Sequence, residues 1–278
     1  MTNNQDSGRI SLMEAIEQRH SVRQYEDRPL PADVIAELAD AIYACNEVGN
    51  LHIQLITNEP EAFKGGLAKY GKFSGVSNYI AMIGKKANDL EERCGYYGER
   101  LVLLAQQLGL NTCWVGMTFQ KRKAGYVVGD GEKLVIIIAV GYGATSGRVR
   151  KSKNFADVNR TKGEIPTWYR RGVEAALLAP TAVNQQKFAF SYHPVSKRAV
   201  GGTAEFASGE TGEMSDAAAA EIEATSKTAG ADLTGAATDA LPGVHAEVDG
   251  FGFFSKVDLG IVRYHFEIGA ETEDFRWV

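Results

Sequence analysis

The fold is decided by two stretches of the sequence, LADAIYACNEVGNLHIQLIT (38–57) and VEAALLAPTAVNQQKFAFSY (173–192). In each, apolar residues at helical spacing precede a turn of small and polar residues and then a run typical of a β-strand. We therefore predict two related halves, residues 8–155 and 156–278. Chance similarity is the alternative, because the identities are few. A second shared spacing, of sixteen and seventeen residues, separates Gly98 from Trp114 and Gly260 from Trp277.

Local signals predict the other elements. Ser11 and Glu14 form the capping-box pattern that starts a helix, which should run to about Arg19. Apolar residues at helical spacing from Ala32 to Cys45 predict a second helix. Further helices are predicted over 88–108 and 166–179, and strands over 52–57, 79–84, 112–118, 134–141 and 186–192. This alternation predicts a layered α+β fold in which each half has a small β-sheet flanked by helices.

Residues 199–243 are rich in Gly, Ala, Thr, Ser and Glu and contain almost no large apolar side chains. Such a composition cannot bury enough surface to offset the entropy of ordering it, except in an alanine-rich helix near 216–227. We predict a surface insertion within the second half. A lid over the active site is the alternative.

Composition and charge exclude several classes of protein. The chain has 278 residues, 44% hydrophobic and 23% charged, as in an ordinary folded protein, and a net charge of −5, which argues against a nucleic-acid partner. The N-terminal residues MTNNQDSGRI lack the basic and apolar regions of a signal peptide. No apolar run approaches the about 20 residues that span a bilayer, so we expect a cytoplasmic protein without a membrane partner. The three widely spaced cysteines predict reduced core thiols, and the five histidines show no metal-ligand spacing.

Three short strings could bind a phosphorylated heteroaromatic ligand. RHSVR (19–23) places two guanidinium groups and a hydroxyl at a helix end, and planar guanidinium groups match phosphate oxygens. KSK (151–153) could add two cations to the same phosphate. APTAVNQQKF (179–188) ends a helix at Pro180 and carries Asn184, whose amide can donate and accept at the polar edge of a ring. Taken singly, each string could equally be a solvated turn or linker.

Together, the three strings resemble the FMN-dependent nitroreductase family. In that family an RxSxR-type string and a late KSR-like pair hold the flavin phosphate and ribose, and a PSSxNxQPW-like turn from the other subunit of an obligate dimer meets the flavin ring. The resemblance implies a phosphate side made of Arg19, His20, Ser21, Arg23, Lys151 and Lys153, and a ring side made of Pro180, Thr181, Ala182 and Asn184.

Two weaker parts of the resemblance add three residues. The segment LGLNTCWVG (108–116) is similar to the family's LGLGSCWVG, whose backbone passes the flavin N5, which implies that Val115 and Gly116 contact the flavin. Lys72 falls near the position of another flavin contact of the family.

The order of the motifs departs from the family pattern. Ordinary members carry the PSSxN turn after the second helix, where this chain has YACNEVGN (43–50). Here the turn lies in the second half, which has no RxSxR string. The chain therefore resembles a fused pseudo-dimer, with the phosphate side in residues 8–155 and the ring side in 156–278. This resemblance implies one FMN per chain and a protein that can work as a monomer.

The resemblance implies an FMN-dependent oxidoreductase that takes hydride from NAD(P)H and passes electrons to a nitroaromatic, a quinone or a similar small acceptor. The flavin carries the chemistry, so no catalytic side chain is predicted. Tyr96 and Tyr97 are candidates for shaping the acceptor pocket. The alternative is a flavin- or nucleotide-binding sensor or carrier without turnover.

Overall fold

The computed structural model describes residues 8–195, 241–271 and 273–278. Over these ranges the chain forms seven α-helices and seven β-strands, with the strands in two sheets, so the predicted α+β fold is confirmed. The helices are α1 (Leu12–Gln18), α2 (Ala32–Gly49), α3 (Gly66–Tyr70), α4 (Leu90–Gln107), α5 (Phe155–Val158), α6 (Thr167–Ala176) and α7 (Ser255–Ala270). The strands are β1 (Gln54–Ile56), β2 (Tyr79–Lys85), β3 (Asn111–Val115), β4 (Glu132–Gly141), β5 (Phe188–His193), β6 (Gly243–Val248) and β7 (Arg276–Trp277). The helix predicted near 216–227 lies outside the described residues.

The first two helices begin and end where local chemistry directs them. At the start of α1, the Glu14 backbone N–H donates to Ser11 Oγ at 3.2 Å, and the Ser11 N–H donates to the Glu14 carboxylate at 2.8 Å. The predicted capping box is therefore present. The second helix runs past Cys45 to Gly49 and ends at Asn50, whose φ of 46° closes it in the left-handed conformation.

The first sheet has the strand order β1-β2-β4-β3, with every neighbouring pair antiparallel. Side chains of β2 alternate between two apolar layers. Ile80 and Met82 face the core that contains α2 and α4, whereas Tyr79, Ala81 and Ile83 face a second cluster with Phe63, Phe73 and Phe119. The sheet is thus covered on both faces, which explains why six of the seven β2 residues are buried.

The second sheet has the order β5-β6-β7, with β5 antiparallel and β7 parallel to β6. Gly243 pairs with His193 and begins β6. The strand therefore begins where the predicted insertion, about 199–243, ends. Val244, Ala246 and Val248 alternate with polar residues, which is a strand signal that adjoins the low-complexity stretch.

Helices α4 and α7 cross at two glycines in a reciprocal contact. A Cβ added to Gly95 would lie 2.0 Å from the Val257 carbonyl oxygen, and one added to Gly260 would lie 1.9 Å from the Glu92 carbonyl oxygen. Each glycine therefore meets the carbonyl that precedes the other glycine by three residues, as a local two-fold axis requires. This contact pairs Gly260 with Gly95, three residues before the Gly98 of the shared spacing.

The elements on the two sides of this crossing follow one another in the same order. The first part runs α1, α2, β1, β2, α4 and β3, with α3 and β4 as additions, and the second part runs α5, α6, β5, β6, α7 and β7.

In the ranges that the structure describes, no helix combines the length and apolar character needed to cross a bilayer.

Candidate functional site

A cavity of about 810 Å³ lies where the end of α1, the segment after β4 and the turn after α6 meet. The structure brings nine of the thirteen predicted site residues to its wall, namely Arg19, His20, Ser21, Arg23, Lys72, Lys151, Pro180, Thr181 and Asn184. Two further cations that the sequence reasoning missed, Arg148 and Arg150, also line the cavity. They immediately precede Lys151, so the basic run RVRKSK (148–153) was the available signal. Because the described lining contains six Arg or Lys residues and no Asp or Glu, the cavity suits an anion.

Arg19 is the most informative residue of the cavity. It ends α1, lines the cavity and is only 3% exposed, yet its Nε has no hydrogen-bond partner within the described ranges. Burial lowers the pKa of its guanidinium, and the charge of Glu99 opposes that shift. A buried charge is costly unless it is paired and hydrogen-bonded. The arrangement therefore indicates that an anionic group completes this site.

The pKa values of Arg150 and His20 are both lowered by neighbouring positive charge as well as by burial. Arg150 donates to the carbonyl oxygens of Arg19 at 3.1 Å and Ile16 at 3.4 Å, and so joins the basic segment to the C-terminal end of α1. Burial, followed by the charge of Arg19, lowers the pKa of Arg150 to about 10. Partial burial and then the charges of Arg150 and Arg19 lower the pKa of His20. A bound anion would relieve the repulsion among these groups.

The opposite wall of the cavity is a strained turn, residues 180–186. Val183, Asn184 and Gln186 have φ values of 47°, 56° and 44°. Positive φ is uncommon outside glycine, above all for a β-branched residue, and such strain costs on the order of 1–3 kcal/mol per residue. The side chain of Asn184 donates to the Lys151 carbonyl at 2.7 Å, and that of Gln186 donates to the Leu177 carbonyl at 2.8 Å. The first bond holds the 180–186 turn against the basic segment, and the second holds it against the end of α6.

The sequence matches the family model described as "Putative TM nitroreductase" over residues 11–211, which is well over half of the chain. The chain belongs to this nitroreductase family. The predicted family resemblance is therefore confirmed, and membership supports the oxidoreductase class.

Several solved structures are similar to this chain. One from Thermotoga maritima, described as a putative nitroreductase, is 25% identical, with 70% of this chain and 77% of that chain covered and a TM-score of 0.47. An FMN-dependent nitroreductase from Clostridium difficile is 18% identical, with 52% and 92% covered and a TM-score of 0.37. A putative nitroreductase in complex with FMN from Desulfovibrio desulfuricans is 16% identical, with 56% and 99% covered and a TM-score of 0.43. Among curated proteins, none matches the chain.

Two residues predicted to contact the flavin, Lys153 and Ala182, make hydrogen bonds elsewhere and do not line the cavity. The Lys153 ammonium donates to the Gln186 carbonyl at 2.7 Å, and the Lys153 backbone N–H donates to Gln186 Oε1 at 2.7 Å. The Ala182 N–H donates to the Asp258 carboxylate at 2.9 Å. Neither residue lines the cavity as the resemblance implied. Both instead anchor the 180–186 turn.

The structure also places Val115 and Gly116 outside the cavity wall. Val115 is 1% exposed and pairs with Ile137 inside the first sheet. Gly116 is covered by Phe254, since a Cβ added to Gly116 would lie 2.4 Å from a carbon of the Phe254 ring. Phe254 was not predicted, and its position depends on the tertiary packing of α7 against the first half.

Tyr96 and Tyr97 pack against neighbouring helices and do not line the cavity. Tyr97 is 7% exposed and touches the position of Gly49 at the end of α2. Tyr96 donates to the Glu267 carboxylate and packs edge-on against Tyr264 of α7, with ring centroids 5.1 Å apart. Their proposed role in shaping an acceptor pocket stays a prediction, and this cavity does not include them.

A buried polar cluster of Glu99, Trp114 and His265 acts on Arg19 through the charge of Glu99. The Glu99 carboxylate accepts from Trp114 Nε1 at 3.0 Å and contacts His265 Nε2 at 2.8 Å. His265 Nδ1 lies 3.1 Å from the Ala175 carbonyl, which only accepts, so Nδ1 carries a proton. The cluster connects α4, α6 and α7 and supplies the negative charge nearest to the buried guanidinium.

Proposed function

We propose that the chain is an FMN-dependent oxidoreductase of the nitroreductase type, which takes hydride from NAD(P)H and reduces a nitroaromatic, a quinone or a similar small acceptor. The observation that carries this proposal is the buried guanidinium of Arg19, whose Nε has no hydrogen-bond partner among the described residues, in a cavity whose described lining has no acidic residue. Family membership then favours a flavin phosphate over other anions. Neighbouring structures described as FMN-dependent or FMN-bound support the same choice.

The residues of the cavity fit the phosphate end of FMN. Arg19 and Arg23 offer forked donors, Ser21 offers a hydroxyl, and Lys72 and Lys151 add positive charge. Arg150 contributes charge while its donors hold the end of α1. The phosphate would supply a counter-charge to the positive groups that, after burial, lower the pKa values of His20 and Arg150.

The ring end of the coenzyme is proposed to meet the 180–186 turn. Pro180, Thr181, Val183 and Asn184 form this wall. Because the Asn184 amide N–H is bound to the Lys151 carbonyl, its carbonyl oxygen is the atom of that side chain proposed to face a ring N–H. When bound, FMN supplies hydride acceptance and electron transfer, and this chain's residues bind and orient it. We assign no catalytic side chain.

The two parts of the chain are proposed to be fused, diverged halves, residues 8–155 and 156–278, that together build one site. The shared order of elements and the reciprocal contact of Gly95 and Gly260 support this proposal. The cavity draws its cations from the first half and its strained turn from the second. One chain is thereby proposed to suffice where the family resemblance implied two subunits.

Reduction of the bound flavin tests the proposed function. Mixing the FMN-loaded protein anaerobically with NADH or NADPH in a stopped-flow instrument is expected to bleach the visible flavin absorption, and a nitroaromatic or quinone is expected to restore it. Free FMN at the same concentration is the control, because it measures the uncatalysed rate. Bleaching no faster than this control would overturn the oxidoreductase proposal and leave a flavin-binding sensor or carrier.

A further inference from the structure

Asp258 lies in the first turn of α7, directly behind the 180–186 turn. Its carboxylate accepts from the Ala182 N–H at 2.9 and 3.2 Å and from Gln185 Nε2 at 2.7 Å. The residue is 3% exposed. Gln185 Nε2 also donates to the Phe253 carbonyl at 2.7 Å, so the same amide links the turn to the start of α7.

The strain of the turn requires such an anchor. Val183 and Asn184 follow Ala182 directly, and both have positive φ. Backbone conformations of this kind persist only where surrounding contacts over-determine them, and they cluster at ligand-binding sites. Lys151 and Lys153 hold the turn on the side of the first half, and Asp258 holds it on the side of α7.

We propose that Asp258 is a positioning residue whose ionised carboxylate holds the 180–186 turn in the shape that lines the cavity. A carboxylate that receives three hydrogen-bond contacts from N–H donors binds them more strongly when charged, because charge-assisted bonds exceed neutral ones. Protonation would weaken this anchor and release the strained backbone. The consequence for ligand affinity rests on the proposed function, whereas the anchoring of the turn does not.

The environment of Asp258 places this change in an accessible pH range. Burial raises the pKa of Asp258 to about 6, and the bonds from Gln185 and Ala182 oppose the shift. No charged side chain contributes to it. The neighbouring charged groups are engaged elsewhere: Lys187 with the Phe251 carbonyl, Lys256 with the Asn88 carbonyl, and Arg263 with Glu92.

Hydrogen–deuterium exchange of the ligand-free protein tests the anchor directly. After correction for intrinsic exchange, the peptide covering 180–187 is expected to lose protection as the pH falls from about 7.5 to 5, through the pKa of Asp258. D258N should lack protection at both pH values. D249N is the matched control, since Asp249 is an exposed carboxylate paired with Arg160 in the adjoining loop, and should behave as wild type. A pH-independent peptide in the wild type would overturn the proposal.

FMN affinity tests the consequence for binding. The FMN phosphate itself titrates near pH 6, so the informative quantity is the ratio of the dissociation constants of D258N and wild type. We expect this ratio to be about tenfold at pH 7.5 and to approach one at pH 5, where Asp258 is mostly protonated and resembles asparagine. A ratio that is constant with pH would overturn the positioning role. If neither protein binds FMN while the exchange step is present, the proposed function fails and the anchor stands.

The thermal stability of the protein is expected to respond to pH in the opposite direction from its exchange protection. Because folding raises the pKa of Asp258, its stabilising contribution is fully present below the unfolded-state pKa and is lost as the pH rises through about 6. The midpoint of D258N should therefore gain on that of wild type between about pH 4 and 7. This gain follows from the raised pKa alone, so it checks the pH range used in the exchange experiment, and a difference that does not change with pH would contradict that range.

Discussion

G260A is expected to lower the free energy of unfolding by about 3 kcal/mol, the upper end for overpacking a core. The added methyl group would lie 1.9 Å from the Glu92 carbonyl oxygen and 2.6 Å from the Tyr96 nitrogen. Both are backbone atoms, so the overlap can be relieved only by moving α4 and α7 apart. Alanine elsewhere in a helix is favoured over glycine by about 1 kcal/mol, which makes the sign diagnostic. Urea denaturation measures the change.

G95A and the double variant sharpen this prediction. A Cβ at Gly95 would lie 2.0 Å from the Val257 carbonyl oxygen, in the two-fold-related half of the same contact. Since one separation of the helices relieves both overlaps, the double variant should lose less than the sum of the single losses. G66A is the control, because a Cβ at Gly66 in α3 would meet nothing within 4 Å. Wild-type stability for G260A would contradict the described crossing.

R19M is expected to separate stability from ligand binding. Methionine fills a similar volume and removes a buried charge that has no hydrogen-bond partner at Nε, so the ligand-free protein should be as stable as wild type or more stable. The affinity for FMN should fall by about 3 kcal/mol, the upper scale of a hydrogen bond to a charged group, or roughly 100-fold. Fluorescence titration of the apoprotein with FMN measures the loss.

An exposed arginine outside the cavity is the control for R19M. Arg170 stacks over the Phe155 ring at 4.3 Å in the second half, and R170M should leave FMN affinity unchanged. An R19M protein that is destabilised but binds FMN normally would show that Arg19 serves packing alone. In that case the buried guanidinium of Arg19 would no longer support the proposed function.

The sequence predicted elements whose signals are local. Ser11 and Glu14 are three residues apart, and their capping box starts α1 as expected. The helical spacing of α2 and the alternation of β1 and β5 were read in the same way, with ends that moved by a few residues. The strand β6 and the helix α7 were not predicted. The alternation of Val244, Ala246 and Val248 in β6 adjoins the low-complexity stretch, which was interpreted as one surface insertion up to about residue 243.

The site was predictable where it depends on contiguous strings and not where it depends on packing. The strings at 19–23 and 180–184 do meet at one cavity, although Arg148 and Arg150 were overlooked beside Lys151. The orientation of Lys153 depends on Gln186, and the cover over Gly116 depends on Phe254. Asp258 reaches the turn from 76 residues away in the chain, a contact that no local pattern indicates.

The stoichiometry of FMN tests whether two unlike halves of one chain build one flavin site. The isolated or FMN-reconstituted protein, freed of unbound flavin, is denatured, and the released FMN is compared with the amount of chain. We predict one FMN per chain. The described residues form one cavity that has the cations of the first half on one wall and the strained turn of the second half on the other. Two FMN per chain would contradict the fused, unlike halves, and none would contradict the flavin site itself.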